Sequence, residues 1–319
     1  MAAGSLKDQK ILITGAAGFT GLHACDYFVR QGCTVIAAGR NKQALGSIQG
    51  VIPAVCHLEN REQVDILIQE SLPDYILHLA GKNSASESWK QPASYMESNV
   101  MATIYLLEAL RQHCPDSRLV MVGSRLSVDP AKGAAAVPHP YSLSKTFASW
   151  SAAAWHGLYN QHIVLAEPSN LIGPGESTGF CTLLARYIAG YETGRNFPLF
   201  RISSRYESRD FLDVRDAVAA YSILLQEGTP GMTYPISSGT EHTLGELAEA
   251  LLLHTQAAVP MDWGPESAPL SLDSLNKGTG GQQGTELLKA LGWNSQYPLE
   301  RSLADIMDYA RIQAQPSSS

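Results

Sequence analysis

The sequence predicts an α/β protein, a doubly wound parallel sheet carrying a smaller C-terminal α/β lobe. Three observations lead there. Short apolar, β-branched runs alternate with segments of helical spacing through the first half of the chain. The first run passes straight into a glycine cluster and then a helix, the entry of a βαβ unit. Beyond Pro168 the alternation gives way to a Gly/Pro/Ser-rich loop and irregular polar sequence, which marks a change of architecture.

Taken in order, "KILITG" (10–15) is apolar without alternation, as a parallel strand covered on both faces must be. "GLHACDYFVRQG" has helical spacing and Gly32 closes it. "TVIAAG" (34–39) and "VIPAV" (51–55) are the next strands, and 61–71 is helical up to Pro73. "YILHLA" (75–80) is a fourth strand, and "SYMESNVMATIYLLEALRQHC" (94–114) reads as one long amphipathic helix. "RLVMVGS" (118–124), a helix at about 141–160 and "HIVLAEP" (162–168) complete the sheet. Then come the loop "SNLIGPGESTG", a helix at 181–194 and an irregular stretch at 195–208. "DFLDVRDAVAAYSILLQEG" restores one strand–helix unit, and a Pro/Gly-rich stretch at 260–285 separates two last helices. The expected division is 1–168 plus about 209–238 for the sheet domain, 169–208 and 239–312 for the lobe, and a frayed tail at 313–319.

With 319 residues, 45% hydrophobic and 17% charged, the chain can bury a sizeable core. A net charge of −7 without any Lys/Arg run longer than two argues against a nucleic-acid groove or an anionic-membrane patch. The five cysteines are scattered, with no C-x-x-C, and the nine histidines show no metal-ligand spacing, so no metal site is expected. No apolar run approaches 18 residues, and a soluble cytoplasmic protein is the expectation.

"TGAAGFTG" places Gly15, Gly18 and Gly21 between the first strand and helix. Gly15 suits a sharp turn, Gly18 lets backbone approach a pyrophosphate, and Gly21 lets the helix pack closely on the strand. The helix N-terminus adds N–H groups and a positive dipole end, so a dinucleotide is the expected ligand. An acidic residue about 20 positions onward commonly holds the ribose 2′-hydroxyl of NAD. Here the second strand ends "AAGRNK", with Arg40 and no acid nearby. A guanidinium suits a 2′-phosphate, so NADP(H) is expected in preference to NAD(H).

"PYSLSK" (140–145) sets Tyr141 and Lys145 four residues apart, on one face of a helix. Ser124 closes the strand "RLVMVGS", at the carboxyl edge of the sheet where ligands bind. A phenol is a poor acid–base at neutral pH. The expectation is that the ammonium lowers its pKa while Ser124 hydrogen-bonds the reacting oxygen.

"TGAAGFTG", "LHLAGKNS", "ESNVMATIYLLEAL", "VGS", "YSLSK", "NLIGPGE" and "SRDFLDVRDAVAAY" together resemble the extended short-chain dehydrogenase/reductases that act on nucleotide sugars. The likeness runs in order across about 8–312. Within that group the chain looks most like the GDP-4-keto-6-deoxymannose reductases, which use NADPH. The resemblance implies a Rossmann fold with a C-terminal substrate lobe, Tyr141 as proton donor, Lys145 on the nicotinamide ribose and Ser124 polarising the carbonyl. It implies cofactor contacts from Gly15, Gly18, Phe19, Thr20, Gly21, Arg40, Asn41, His57, Leu58, Leu79, Ala80, Gly81 and Lys82 as well. On the substrate side it points to Ser84, Asn170, Gly179, Phe180 and, for the diphosphate, Arg209.

Three positions depart from the family pattern. His57 stands where Asp is usual, Glu167-Pro168 where Arg-Pro is usual, and Val128 where an aromatic is usual. Dehydratases of the group place acids just after the catalytic Ser/Thr, whereas this chain has Arg125 and Leu126. Reduction of a 4-keto-6-deoxy sugar nucleotide is therefore expected, with a 4-epimerase as the alternative. A homodimer is implied through the helices at 94–114 and from 141. Tyr105, Leu106, Trp150 and Trp155 on those helices suit either a dimer face or a core.

Overall fold

The computed structural model describes residues 6–195, 197–264 and 280–315. In chain order the elements are β1 (Lys10–Thr14), α1 (Phe19–Arg30), β2 (Thr34–Gly39), α2 (Lys42–Gly46), β3 (Ile52–Val55), α3 (Arg61–Ser71), β4 (Tyr75–His78), α4 (Ala85–Ser88) and α5 (Pro92–Tyr95). A π-helical turn (Met96–Met101) leads into α6 (Ala102–His113), followed by β5 (Arg118–Val122), α7 (Pro140–Tyr159) and β6 (His162–Pro168). Next are β7 (Asn170–Ile172), α8 (Phe180–Glu192), β8 (Phe200–Arg201), β9 (Ser208–Asp213), α9 (Val214–Glu227) and β10 (Thr233–Ile236). β11 (Glu241–Thr243), α10 (Leu244–Leu252), β12 (Met261–Asp262), α11 (Gly280–Ala290) and α12 (Leu299–Ala314) complete the chain.

Two compact units result, one of residues 1–168, 218–235 and 287–293, the other of 169–217, 236–286 and 294–319. In the first, a seven-stranded sheet runs β10-β6-β5-β4-β1-β2-β3, with every pair from β1 to β6 parallel. Its strand order reverses between β1 and β4, the switch point where doubly wound sheets open a crevice. β1 is buried from Ile11 to Thr14, because helices cover both faces. One layer packs Leu12, Ile36, Ile76 and Leu119 against Val64 and Ile68 of α3 and Leu106 and Leu107 of α6. Leu106 is thus core, and Tyr105 and Trp155 pack against it, while Trp150 stands 60% exposed. The second unit gathers Ile172, Leu184, Ile188, Phe211, Leu247, Leu303 and Ile306 around the three-stranded sheet β11-β9-β7.

The long helix expected at 94–114 is interrupted. A π turn carries one extra residue per turn, and such bulges recur at functional sites. It aims two adjacent polar side chains, Ser98 and Asn99, at partners far off in sequence, Glu59 and Lys82. Most of the Pro/Gly-rich stretch at 260–285 lies outside the described residues. Of the expected tail, Gln313 and Ala314 still belong to α12, and 316–319 lie outside the described residues.

The glycine cluster is needed for packing as much as for any ligand. Gly15 sits at φ +68°, and a Cβ there would lie 2.9 Å from the backbone of Ala80. A Cβ on Gly21 would stand 2.2 Å from the Gly15 carbonyl oxygen and 2.6 Å from that of Ala16. Gly21→Ala must therefore push α1 off β1. We expect a loss of about 1–3 kcal/mol or more, read from urea midpoints. An unchanged midpoint would show that the helix is not held this close.

The switch point itself is closed by a buried histidine. His78 Nδ1 lies 2.7 Å from Thr14 Oγ1 and His78 Nε2 lies 3.0 Å from Thr103 Oγ1. Thr103 donates its own proton to the Asn99 carbonyl, so it must accept from Nε2–H, and Nδ1 then accepts from Thr14. Burial, reinforced by the nearby Lys145 charge, pushes the imidazole down to about 3. The folded pKa lies below the unfolded value of about 6.5. Between these two the unfolded chain binds a proton that the folded one excludes. Stability from this group is complete above about pH 6.5 and falls on acidification, by at most about 1.4 kcal/mol per pH unit. His78→Gln should flatten the dependence of the urea midpoint between pH 6.5 and 4.5 by about one proton. An acid limb of unchanged slope would contradict the neutral buried histidine.

Candidate active site

The cradle lies at the carboxyl end of β1. α1 starts at Phe19 with Gly18 as its N-cap, and no side chain caps it. Its first N–H groups, on Phe19 and Thr20, are left to a ligand, and the dipole favours an anion there. Gly15 turns at φ +68° and a Cβ at Gly21 would collide with the Gly15 and Ala16 backbone, so α1 packs on the end of β1 as closely as the sequence led one to expect. The residues fit a dinucleotide, whose pyrophosphate Gly15–Gly21 would hold and whose ends would meet the loops after β2, β3 and β4.

After β2, Arg40 is exposed and Asn41 spends its carboxamide on capping α2, accepting from Ala44 N–H at 3.1 Å. After β3, His57 N–H donates to Gln63 Oε1 and Leu58 sinks into the core. The expectation of no acid near Arg40 is corrected here. Glu59 Oε1 stands 3.9 Å from Arg40 Nη1, brought there by the neighbouring strand rather than by the chain following Arg40.

At the other end, Leu79–Lys82 follow β4. Asn99 fixes this loop by accepting from Lys82 N–H (2.7 Å) and donating to Lys82 O (3.1 Å). Its amide also donates to Ser144 Oγ at 2.9 Å, and Ser144 donates to the Tyr141 carbonyl at 2.8 Å. The loop and the catalytic helix are thereby set against each other. Lys82 Nζ reaches Gln91 Oε1 and lies over the Tyr95 ring, while Ser84 Oγ caps α4.

Ser124, Tyr141 and Lys145 do come together. Tyr141 and Lys145 are both buried on one face of α7, and Ser124, whose Oγ accepts from Leu126 N–H at 3.1 Å, lies close enough to act on the phenol. Lys145 Nζ donates to Val122 O at 3.0 Å, and burial pushes its ammonium down to about 8. The expected division of electrostatic labour is corrected. Burial pushes the phenol above its ordinary value, the Ser124 hydroxyl opposes this, and Tyr95 adds to the rise. Lys145 is directed at the strand carbonyl and leaves the phenol to Ser124. Such a phenol is held in its protonated form, the form needed to donate to a developing oxyanion.

Sequence reasoning missed several neighbours. Tyr95 meets Tyr141 edge-on at 6.2 Å, and His139 stacks on it at 5.9 Å while capping α7. Asn99 had a readable signal, a Ser-Asn pair inside an otherwise amphipathic helix. Beside Gly123, Glu167 is pushed up by burial, with Arg125 opposing. Both departures from the family pattern after Ser124 and on β6 are thus electrostatic neighbours.

In the second unit, Asn170 Nδ2 donates to Asp210 O, and Gly179 caps α8. Phe180 meets Phe200 edge-on, and Arg209 pairs with Glu207 rather than with Asp210 or Asp213. Those two carboxylates are occupied, Asp210 by Ser238 and Gly239, Asp213 by Arg215 and Ser302.

A model of the NAD dependent epimerase/dehydratase family matches residues 11–237. Pseudomonas aeruginosa GDP-6-deoxy-D-mannose reductase is 29% identical over 311 residues, covering 94% of this chain and 96% of that protein. The structure of RMD from Pseudomonas aeruginosa complexed with NADPH superposes with a TM-score of 0.73 at 24% identity, covering 96% of this chain and 99% of that one. The Bordetella bronchiseptica enzyme WbmF in complex with NAD+ and UDP reaches 0.80 at 22% identity, covering 97% and 94%. These two structures share the fold. The glycine cradle, the Ser124–Tyr141–Lys145 cluster and the family match over most of the chain lead to one conclusion: the chain belongs to the NAD dependent epimerase/dehydratase family, among the extended short-chain dehydrogenase/reductases, and is an NAD(P)-dependent enzyme.

Proposed function

We propose that the protein reduces the 4-keto group of a nucleotide-activated 4-keto-6-deoxy sugar with NADPH, in the cytoplasm and as a homodimer. The observation that carries this reading is the burial of Tyr141 and Lys145 on one face of α7 beside Ser124, a setting that favours the protonated phenol. NADPH supplies a hydride when bound. The chain's own part is to orient the ketone and neutralise its oxygen: Ser124 donates a hydrogen bond to it and Tyr141 gives it a proton. Lys145 takes a ribose hydroxyl in this reading, and its anchoring on Val122 O, which fixes where the ammonium lies, supports that role. Arg40 favours a phosphorylated ribose. The similarity to a GDP-6-deoxy-D-mannose reductase supports the substrate class. Arg125 and Leu126 after Ser124 offer no acid for elimination.

The homodimer reading rests on α7. Phe147, Trp150 and Leu158 are exposed on the face opposite Tyr141 and Lys145, an apolar stripe that a second copy would cover. A 4-epimerase is the second reading, favoured by Glu59, an acid placed to serve an unphosphorylated ribose.

A panel of nucleotide-linked 4-keto sugars should oxidise NADPH stoichiometrically in the presence of the protein. Tyr141→Phe should lower kcat by about 10²–10⁴-fold and leave NADPH binding close to wild type. Sugar interconversion without net absorbance change at 340 nm would replace the reductase by the epimerase. An active Tyr141→Phe variant would remove the proton-donor role.

On the second unit, Arg209 is the cation we assign to the diphosphate. Its pairing with Glu207 is half exposed and contributes little stability. Arg209→Ala should raise KM for the sugar nucleotide by about 10–100-fold, the size of a charge-assisted contact of about 1.5–3 kcal/mol. NADPH affinity and Tm should hold. A lowered Tm with unchanged KM would make Arg209 a structural residue.

A further inference from the structure

Two opposite charges meet at the end of the adenosine-side strands. Arg40 follows β2, Glu59 follows β3, and their side chains approach to 3.9 Å. The pair is loose, and the arginine side chain is 64% exposed, so it contributes little to holding the fold. Glu59 is the fixed partner. Ser98, on the π turn, donates to the same Oε1 at 2.8 Å. Burial pushes the Glu59 carboxyl up, but the Ser98 hydroxyl, a backbone N–H and the charge of Arg40 outweigh it and hold the group below its ordinary range, ionised at neutral pH.

A fixed carboxylate beside a movable guanidinium has opposite effects on the two forms of the cofactor. A 2′-phosphate drawn to Arg40 also meets the negative charge of Glu59 and loses part of the attraction. A 2′-hydroxyl is neutral, can donate, and finds an ionised acceptor of the kind that an acid on the second strand supplies in NAD sites. We propose that Glu59, pinned by Ser98, is a cofactor-selecting residue that accepts the ribose hydroxyls of NADH and restrains the preference of Arg40 for NADPH, so that the site takes both. This rests on the assignment of Arg40 to the 2′-phosphate. It adds a counterweight to that assignment from a residue 19 positions further along the chain.

Dissociation constants for NADPH and NADH, read by fluorescence titration of the full chain, test this without any sugar substrate. The wild-type constants should lie within about tenfold of each other, NADPH being the tighter. Glu59→Gln should tighten NADPH about threefold and weaken NADH about fivefold, shifting their ratio by an order of magnitude or more. Ser98→Ala should move the ratio the same way by less, because the carboxylate stays but loses its anchor. Arg40→Ala should weaken NADPH alone. Equal loss of both cofactors in Glu59→Gln, or no change in either, would overturn the proposal. Such a result alongside a normal Arg40→Ala response would leave the Arg40 assignment standing. A wild-type protein that prefers NADH, with no response to Arg40→Ala, would instead remove that assignment.

Discussion

Everything at the catalytic end hangs on one chain of buried hydrogen bonds across the switch point of the sheet. Ala80 N–H donates to Thr14 Oγ1, Thr14 to His78, His78 to Thr103 and Thr103 to the Asn99 carbonyl. Asn99 carries the connection onward through Ser144 to the carbonyl of Tyr141. β1 and β4 stay paired up to Thr14 and His78, and the crevice opens beyond them, where their connections leave to opposite sides of the sheet and this last strand pair forms its floor. Polar groups line that floor, and each must be satisfied, because one unpaired member in so dry a place costs more than the pair contributes. The network is therefore all or nothing, and it fixes the loop after β4 and the start of α7 at once.

Charge follows from the same enclosure. Lys145 is the cation buried within this network's reach, and its field helps keep His78 neutral. A neutral imidazole is what the two threonines require, since a doubly protonated ring would present two donors and leave Thr14 without an acceptor. Burial acts on Tyr141 in the same direction chemically, keeping its proton in place. Low polarity around the site thus sets three protonation states together, and none needs a dedicated counter-ion.

How much of this could be read from the chain depends on how local it was. The glycine cradle and the Tyr141–Lys145 spacing are set by neighbours along one backbone, and both were legible. Which way Lys145 points was not, because it depends on a carbonyl of β5, 23 residues earlier. The acid beside Arg40 escaped for the same reason: parallel pairing of β2 with β3 delivers Glu59 from the next strand. Arg209 gained its partner from Glu207, which lies just before β9 and two residues back along the chain. The π turn was invisible to periodicity, since the helix before it, Pro92–Tyr95, is a single turn, too short to set a phase against which an added residue would show.

That turn has a consequence for how the chain can vary. Ser98 and Asn99 are consecutive, and each meets a fixed partner on a different loop. In an ordinary α-helix, losing one residue rotates everything after it by about 100°. Removing the extra residue would restore good helical hydrogen bonding and still swing one of the two side chains away from its partner. Substitutions elsewhere in Met96–Met101 can be absorbed, but the number of residues there cannot change. Length is as strict a requirement of this segment as the identities of Ser98 and Asn99.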